Sequence, residues 1–166
     1  MPGLVAKIKN HEILRDFVCT ICQENDTRAV FDIDSVEWCN VNPEAYFQSL
    51  KSGYTPSSVD CLFTSVCKNV NYAHNLIELK SSPSNLDPEY ASIYKKFEDT
   101  IDHFMHGDFA EVYLTEDSFN IYLTVVHRIE NCDKRLLLKR FKDPIKRFNR
   151  NLYIDFQKST YKIKKC

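Results

Sequence analysis

The spacing of apolar positions changes along this chain, and each change predicts a different element. Over 10–23, Ile13, Phe17 and Ile21 recur every fourth residue, and Leu14 and Val18 widen the stripe. That is the period of one helix face, with Asn10 as a fitting N-cap. Over 28–41, β-prone runs predict one or two short strands. Asn42, Pro43 and Gly53 then frame a short helix over 44–51. Residues 58–66 and 75–81 are short, apolar-rich and bounded by turn residues, which predicts two strands. The connection between them is short enough for an antiparallel pair.

The clearest helix is expected over 88–106. Tyr90, Ile93, Tyr94, Phe97, Ile101, Phe104 and Met105 share one face there, with Asp87 as cap, Pro88 first and Gly107 at the end. Residues 110–115 and 118–127 read as a hairpin about Glu116-Asp117. In its second arm Phe119, Ile121, Leu123 and Val125 alternate toward a core. A basic helix over 131–142 is stopped by Pro144, and strands at 151–157 and 160–164 close the chain. The order predicts an α/β fold, with 1–166 as one domain built on a mixed β-sheet flanked by helices.

Composition agrees with a folded domain. Of 166 residues, 43% are hydrophobic and 13% aromatic, enough for a substantial core, and 3 glycines and 6 prolines leave little room for linkers. No apolar run reaches the roughly 20 residues that span a bilayer, and no secretory leader is visible. No membrane association is expected, and the default placement is cytoplasmic. The 7 cysteines are odd in number and scattered in apolar runs, so free thiols in a reducing compartment are expected. Cys19-x-x-Cys22 lacks a second Cys pair and falls within the expected helix, which argues against zinc.

The net charge of −1 hides an asymmetry. From 134 to 166 there are twelve Lys or Arg side chains against Asp143 and Asp155, and the remainder is acidic. Such a tail suits a polyanion, so nucleic acid is the expected partner through segment 134–150, or the lysines form a solvated helix face. A homodimer is compatible with the sequence.

The candidate chemistry lies in the middle strands. In Asn75-Leu76-Ile77-Glu78-Leu79-Lys80 the charged residues Glu78 and Lys80 emerge on one face while Ile77 and Leu79 point to the other. If 58–66 pairs with this strand, Asp60 lies opposite Glu78. Two converging carboxylates attract a hard divalent cation. A neighbouring ammonium group orients or helps deprotonate water and offsets charge developing on a phosphate.

In these residues the chain resembles the PD-(D/E)XK nuclease superfamily. The resemblance rests on Asp60 in Ser58-Val59-Asp60, on Glu78-Leu79-Lys80, and on a helix that follows. It covers roughly residues 55–106, with Val59 where the family name has proline. It implies a restriction-endonuclease-like fold and a metal-dependent nuclease acting on DNA or RNA. It also implies magnesium or manganese held by Asp60, Glu78 and the Leu79 carbonyl, with Lys80 assisting the attacking water. Restriction, repair and defence against mobile elements are settings that follow from the resemblance. Members often add a helix glutamate, for which Glu12, Glu24 and Glu44 are candidates, and Lys95 or Lys96 could reach phosphate from the following helix. The alternative is a catalytically inactive nucleic-acid-binding or protein-interaction module on the same fold.

Among the histidines, His103 and His106 share a helix face without identifiable partners, His74 precedes the motif and could approach it, and His127 reads as structural. The chain has neither a glycine-rich phosphate loop nor a nucleophile elbow.

Overall fold

The structure, a computed structural model, describes residues 3–31, 37–68, 72–81, 86–114 and 119–163. Chain order runs α1 (Leu4–Asn10), a 3₁₀ turn (Leu14–Phe17), β1 (Val18–Cys19), β2 (Cys22–Glu24), β3 (Thr27–Phe31), β4 (Trp38–Val41), α2 (Pro43–Ser49), β5 (Cys61–Val66) and β6 (Tyr72–Lys80). A 3₁₀ turn at Asp87–Glu89 leads into α3 (Tyr90–Asp99), which continues as a π-helix over Thr100–Asp108. Then follow α4 (Ala110–Tyr113), β7 (Phe119–His127), α5 (Lys134–Arg140), β8 (Ile145–Arg147), β9 (Arg150–Leu152), β10 (Ile154–Lys158) and β11 (Tyr161–Ile163).

Six strands form one mixed sheet in the order β1-β4-β5-β6-β7-β10. β5 and β6 are antiparallel, with Cys61 opposite Ile77, whereas β6, β7 and β10 run parallel. One face carries the larger core. Leu62, Leu76, Leu123, Val125 and Phe156 meet Ile8 of α1, Phe47 of α2, and Phe97, Ile101 and Phe104 of the long helix there. The other face is covered by a three-stranded sheet, β11-β3-β2, which closes a smaller core over Cys61, Phe63, Ile77, Leu79 and Val126. With cover on both faces, β5 and β6 are buried almost throughout, as strands between two layers are. Among the described residues, no helix is long and apolar enough to cross a membrane.

Three expectations are corrected. The helix over 10–23 does not form. His11 Nδ1 accepts the N–H groups of Ile13 and Leu14, the chain tightens into the 3₁₀ turn, and Val18 pairs with Val41 as an edge strand. Ile13 and Ile21 of the supposed stripe stay exposed. The Phe-Val-Cys-Thr-Ile-Cys run has strand propensity, and pairing with β4 overrode the helical spacing. The hairpin over 110–127 is absent as well. Residues 110–113 are helical, with Val112 and Tyr113 buried, and β7 instead joins β6 in parallel. A parallel partner needs a crossover connection, which the long helix provides. The turn at Glu116-Asp117 and the side chain of Asp87 lie outside the described residues.

The third correction concerns the thiols. Cys22 and Cys61 form a disulfide that ties β2 to the start of β5, and Cys67 is disulfide-bonded too. Cys19, Cys39 and Cys132 are free. The odd count and the apolar surroundings concealed the pairing, which only the stacking of the small sheet on the large one creates.

Candidate metal and phosphodiester site

The antiparallel register carries Asp60, one residue ahead of β5, to the end of β6. Its Oδ2 accepts the Leu79 N–H at 2.7 Å. The segment delivering it is pinned from the long helix. Ser57 N–H donates to Asp99 Oδ2 at 3.0 Å, and Val59 N–H donates to Thr100 Oγ1 at 3.0 Å. Thr100 in turn donates to the Lys96 carbonyl at 2.7 Å, where α3 widens into its π turn. Such irregular turns are frequent at functional sites.

Glu78 is fully buried, at 0% exposure. Its Oε1 accepts Lys96 Nζ at 2.7 Å and lies 3.1 Å from Lys80 Nζ. Its Oε2 is buried without a partner among the described residues. Lys80 Nζ also donates to Glu89 Oε1 at 2.8 Å. Strand alternation places Glu78 and Lys80 together, as expected, while Leu79 sends its side chain into the smaller core and offers this side only its backbone.

These groups line one cleft of about 210 Å³, which Glu24 of β2 and Glu44 of α2 also border. Asn42 caps α2, its Oδ1 accepting the Ala45 N–H at 2.9 Å, and so fixes the first helical turn that carries Glu44. Of the three glutamates open as a further ligand, Glu24 and Glu44 border the cleft and Glu12 does not. Glu89 was not anticipated. Its only sequence signal is its place just ahead of the helix that follows the motif.

Five carboxylates and two ammonium groups therefore share the cleft. Burial, and next the charge of Glu78, push the Asp60 carboxyl from its ordinary 3.8 up to about 7, although the Leu79 N–H and Lys96 pull the other way. Burial works against the Lys80 ammonium, but Glu89 and Glu78 more than offset it, so its pKa is raised. Lys96 behaves likewise, with Glu78 as its main anionic partner. Both lysines are thus cations at neutral pH.

Among the described residues, no three His, Cys, Asp or Glu side chains gather as a ready-made metal cage. Magnesium needs fewer, commonly one or two carboxylates with water completing its shell. The buried Oε2 of Glu78, unpartnered among the described residues, and the Asp60 carboxyl in the same cleft are two donors of that kind, Asp60 binding in its ionised form.

The other candidates lie elsewhere. Lys95 pairs with Asp99 on its own helix. His74 is buried on β6 with Thr64 at 3.0 Å, away from the cleft. His103 faces Asp99, His106 packs against Phe148, and His127 is buried. Within 134–150, several cations are already engaged: Lys134 with Asp155, Arg135 with Asp133, and Arg147 with Asp102 through two 2.7 Å bonds. Lys139, Lys142 and Lys146 are exposed. Arg140 lies over the Tyr90 ring at 4.6 Å.

No protein-family profile, curated protein or solved structure matches the chain.

Proposed function

We propose that this chain is a metal-dependent nuclease of the PD-(D/E)XK type, on a restriction-endonuclease-like fold, hydrolysing phosphodiester bonds of DNA or RNA. One observation carries the reading: Asp60, Glu78 and Lys80 meet in a single acidic cleft at the end of paired strands. Asp60 and Glu78 would hold magnesium or manganese beside the backbone of Leu79, with Glu24 or Glu44 available to complete the set. When bound, the ion makes its water a better nucleophile and takes up charge on the phosphate. The chain's own residues supply the rest. Lys80, kept protonated by Glu89 and Glu78, orients water and phosphate oxygens as a donor and is not a base. Lys96 holds Glu78 in place from α3. The basic segment 134–150, with Lys139, Lys142 and Lys146 exposed, would contact the nucleic-acid backbone.

A second reading has an observation of its own. Lys80 and Lys96 already balance Glu78, so the cluster can stand as a structural ion network in a non-cleaving nucleic-acid-binding or protein-interaction module. Labelled DNA and RNA, incubated with and without magnesium or manganese, separate the two. The nuclease reading expects cleavage only with metal, lost in Asp60→Ala and Glu78→Ala. Salt-sensitive binding with no cleavage in any metal supports the second reading. A cytoplasmic enzyme would hold Cys22 and Cys61 as thiols, because disulfides are rare in reducing compartments. A thiol count on protein trapped inside cells decides that placement.

A further inference from the structure

The small sheet covers only part of the second face of the large one. β7 records the boundary: Phe119 to Tyr122 alternate between half-buried and exposed, whereas Leu123 to His127 are all buried. Where the cover stops, a cavity of about 410 Å³ opens between β6, β7 and β10, with Tyr161 of β11 at its border. It lies across the sheet from Glu78, because Asn75 and Glu78 stand an odd number of residues apart on β6.

The floor of this cavity carries polar side chains, among them Asn75 and Thr124. Asn75 is 6% exposed, lines the cavity, and makes no side-chain hydrogen bond among the described residues. Its strand neighbours are Phe63 and Tyr122. On the same strand and face, Ile77 and Leu79 are aliphatic. The amide faces the cavity and is open to solvent there, so with no protein partner among the described residues both its donor and its acceptor are available to a ligand. At the mouth, Tyr122 is 46% and Tyr153 60% exposed. Neither ring stacks on another among the described residues. The parallel register Leu123↔Ile154 sets these two tyrosines side by side.

The lining charge narrows the ligand. Asp155 is the one charged lining residue, already paired with Lys134 and accepting from Gln157, and no Lys or Arg lines the cavity among the described residues. A phosphate would find no cation there. An uncharged planar ring fits: tyrosine faces stack on it, and an amide offers a donor and an acceptor side by side, the pairing that reads a base edge. We infer that this cavity, distinct from the acidic cleft, is a binding site for a neutral nucleobase, taken as a base or nucleoside with its edge on Asn75 and its face on Tyr122 and Tyr153.

The test is titration of the full chain with adenosine, guanosine, cytidine and uridine, and separately with methyl glucoside, followed by calorimetry and amide NMR shifts. The inference expects saturable binding of at least one nucleoside, with shifts centred on Asn75 and Tyr122. It expects a loss of about tenfold or more in Asn75→Leu and in Tyr153→Ala, the scale of a lost base-edge or stacking contact. Asn75→Leu should keep or raise the melting temperature, which separates lost binding from lost folding. Asp60→Ala should bind nucleosides like the parent, so failure of the nuclease reading leaves this result intact. No saturable response up to about 10 mM nucleoside, equal binding of methyl glucoside, or an unaltered Asn75→Leu overturns it.

Discussion

Replacing Lys96 with Met tests the charge balance of the acidic cleft directly. Methionine keeps most of the apolar stem and removes only the ammonium. Lys96 Nζ is 2.7 Å from Glu78 Oε1; the Glu78 side chain is fully buried and that of Lys96 is 24% exposed. Removing one partner of a buried pair costs about 3–5 kcal/mol, because the other charge is left in a poor solvent. Lys80 still stands 3.1 Å from the same oxygen, so the lower end, about 3 kcal/mol, is expected. For a chain of this length that corresponds to a fall in melting temperature of roughly 6–12 °C. A bound divalent cation would replace the missing charge. At a hundred times its dissociation constant it restores about 2.7 kcal/mol, nearly the whole deficit. Thermal unfolding of both proteins, with EDTA and with rising magnesium, is the assay. The variant should melt lower in EDTA and recover with magnesium more than the parent gains. A loss below about 1 kcal/mol would refute the burial argument. A full loss that magnesium does not touch would refute the cation site and leave only a structural network.

Asp60 makes the site sensitive to pH. Its folded pKa, about 7, lies above its ordinary 3.8, so folding favours the protonated form. The stability it contributes is present below about pH 4 and is lost as pH rises through 7, an effect of about 3 kcal/mol after allowing for its partial contact with solvent. Asp60→Asn should therefore gain on the parent between pH 4.5 and 8 in urea denaturation, and parallel curves would sink the assignment. Because protons compete with metal for the same carboxyl, magnesium affinity of the parent should weaken as pH falls below about 7, measured by calorimetry. Cys22→Ser with Cys61→Ser removes a cross-link spanning 39 residues, and the loop-entropy relation gives a loss of about 4 kcal/mol, read as an earlier denaturant midpoint. Thr100→Val deprives the buried Val59 N–H of its acceptor, so a loss of about 1–3 kcal/mol is expected. Cleavage should fall further than stability explains, since Asp60 is the next residue. Unchanged cleavage would mean Thr100 only supports the fold.

The parts of the site that could be read from sequence share one property: they follow from local alternation. Glu78 and Lys80 two apart on a strand must share a face, and a short connection made the β5–β6 pairing and the position of Asp60 foreseeable. The stripe from Ile93 to Met105 gave the long helix for the same reason, although not its π turn, which answers to Thr100 and the segment before Asp60. What alternation cannot carry is the choice of distant partner. β7 pairs with β6 rather than with residues 110–115, and Cys22 meets Cys61 only because the small sheet stacks there. The 10–23 stretch has a sound helical period, yet an available edge at β4 captured it. Glu24, Glu44 and Glu89 reach the cleft from three separate elements, so nothing in their spacing marks them as a set.

Three polar side chains of β6 enter the interior, and their surroundings sort them by role. His74 has Thr64 as a hydrogen-bond partner and the rings of Tyr113 and Phe119 around it. Burial pushes its pKa down to about 4, so it stays neutral, as a residue chosen for packing does. Glu78 and Asn75 differ in one respect that burial alone does not reveal: each borders an opening, on opposite faces of the sheet. Among the described residues, Glu78 keeps its charge with two lysines and still has a buried oxygen to spare; the Asn75 amide opens onto its cavity with no side-chain hydrogen bond. A fold under selection for stability alone would fill both positions with aliphatic residues, as Leu76 on the helix face and Ile77 on the small-sheet face of the same strand show. The strand thus gives up packing where its cover ends, once toward the helices and once toward the small sheet. Those two places are where a ligand can complete what the chain leaves unpaired.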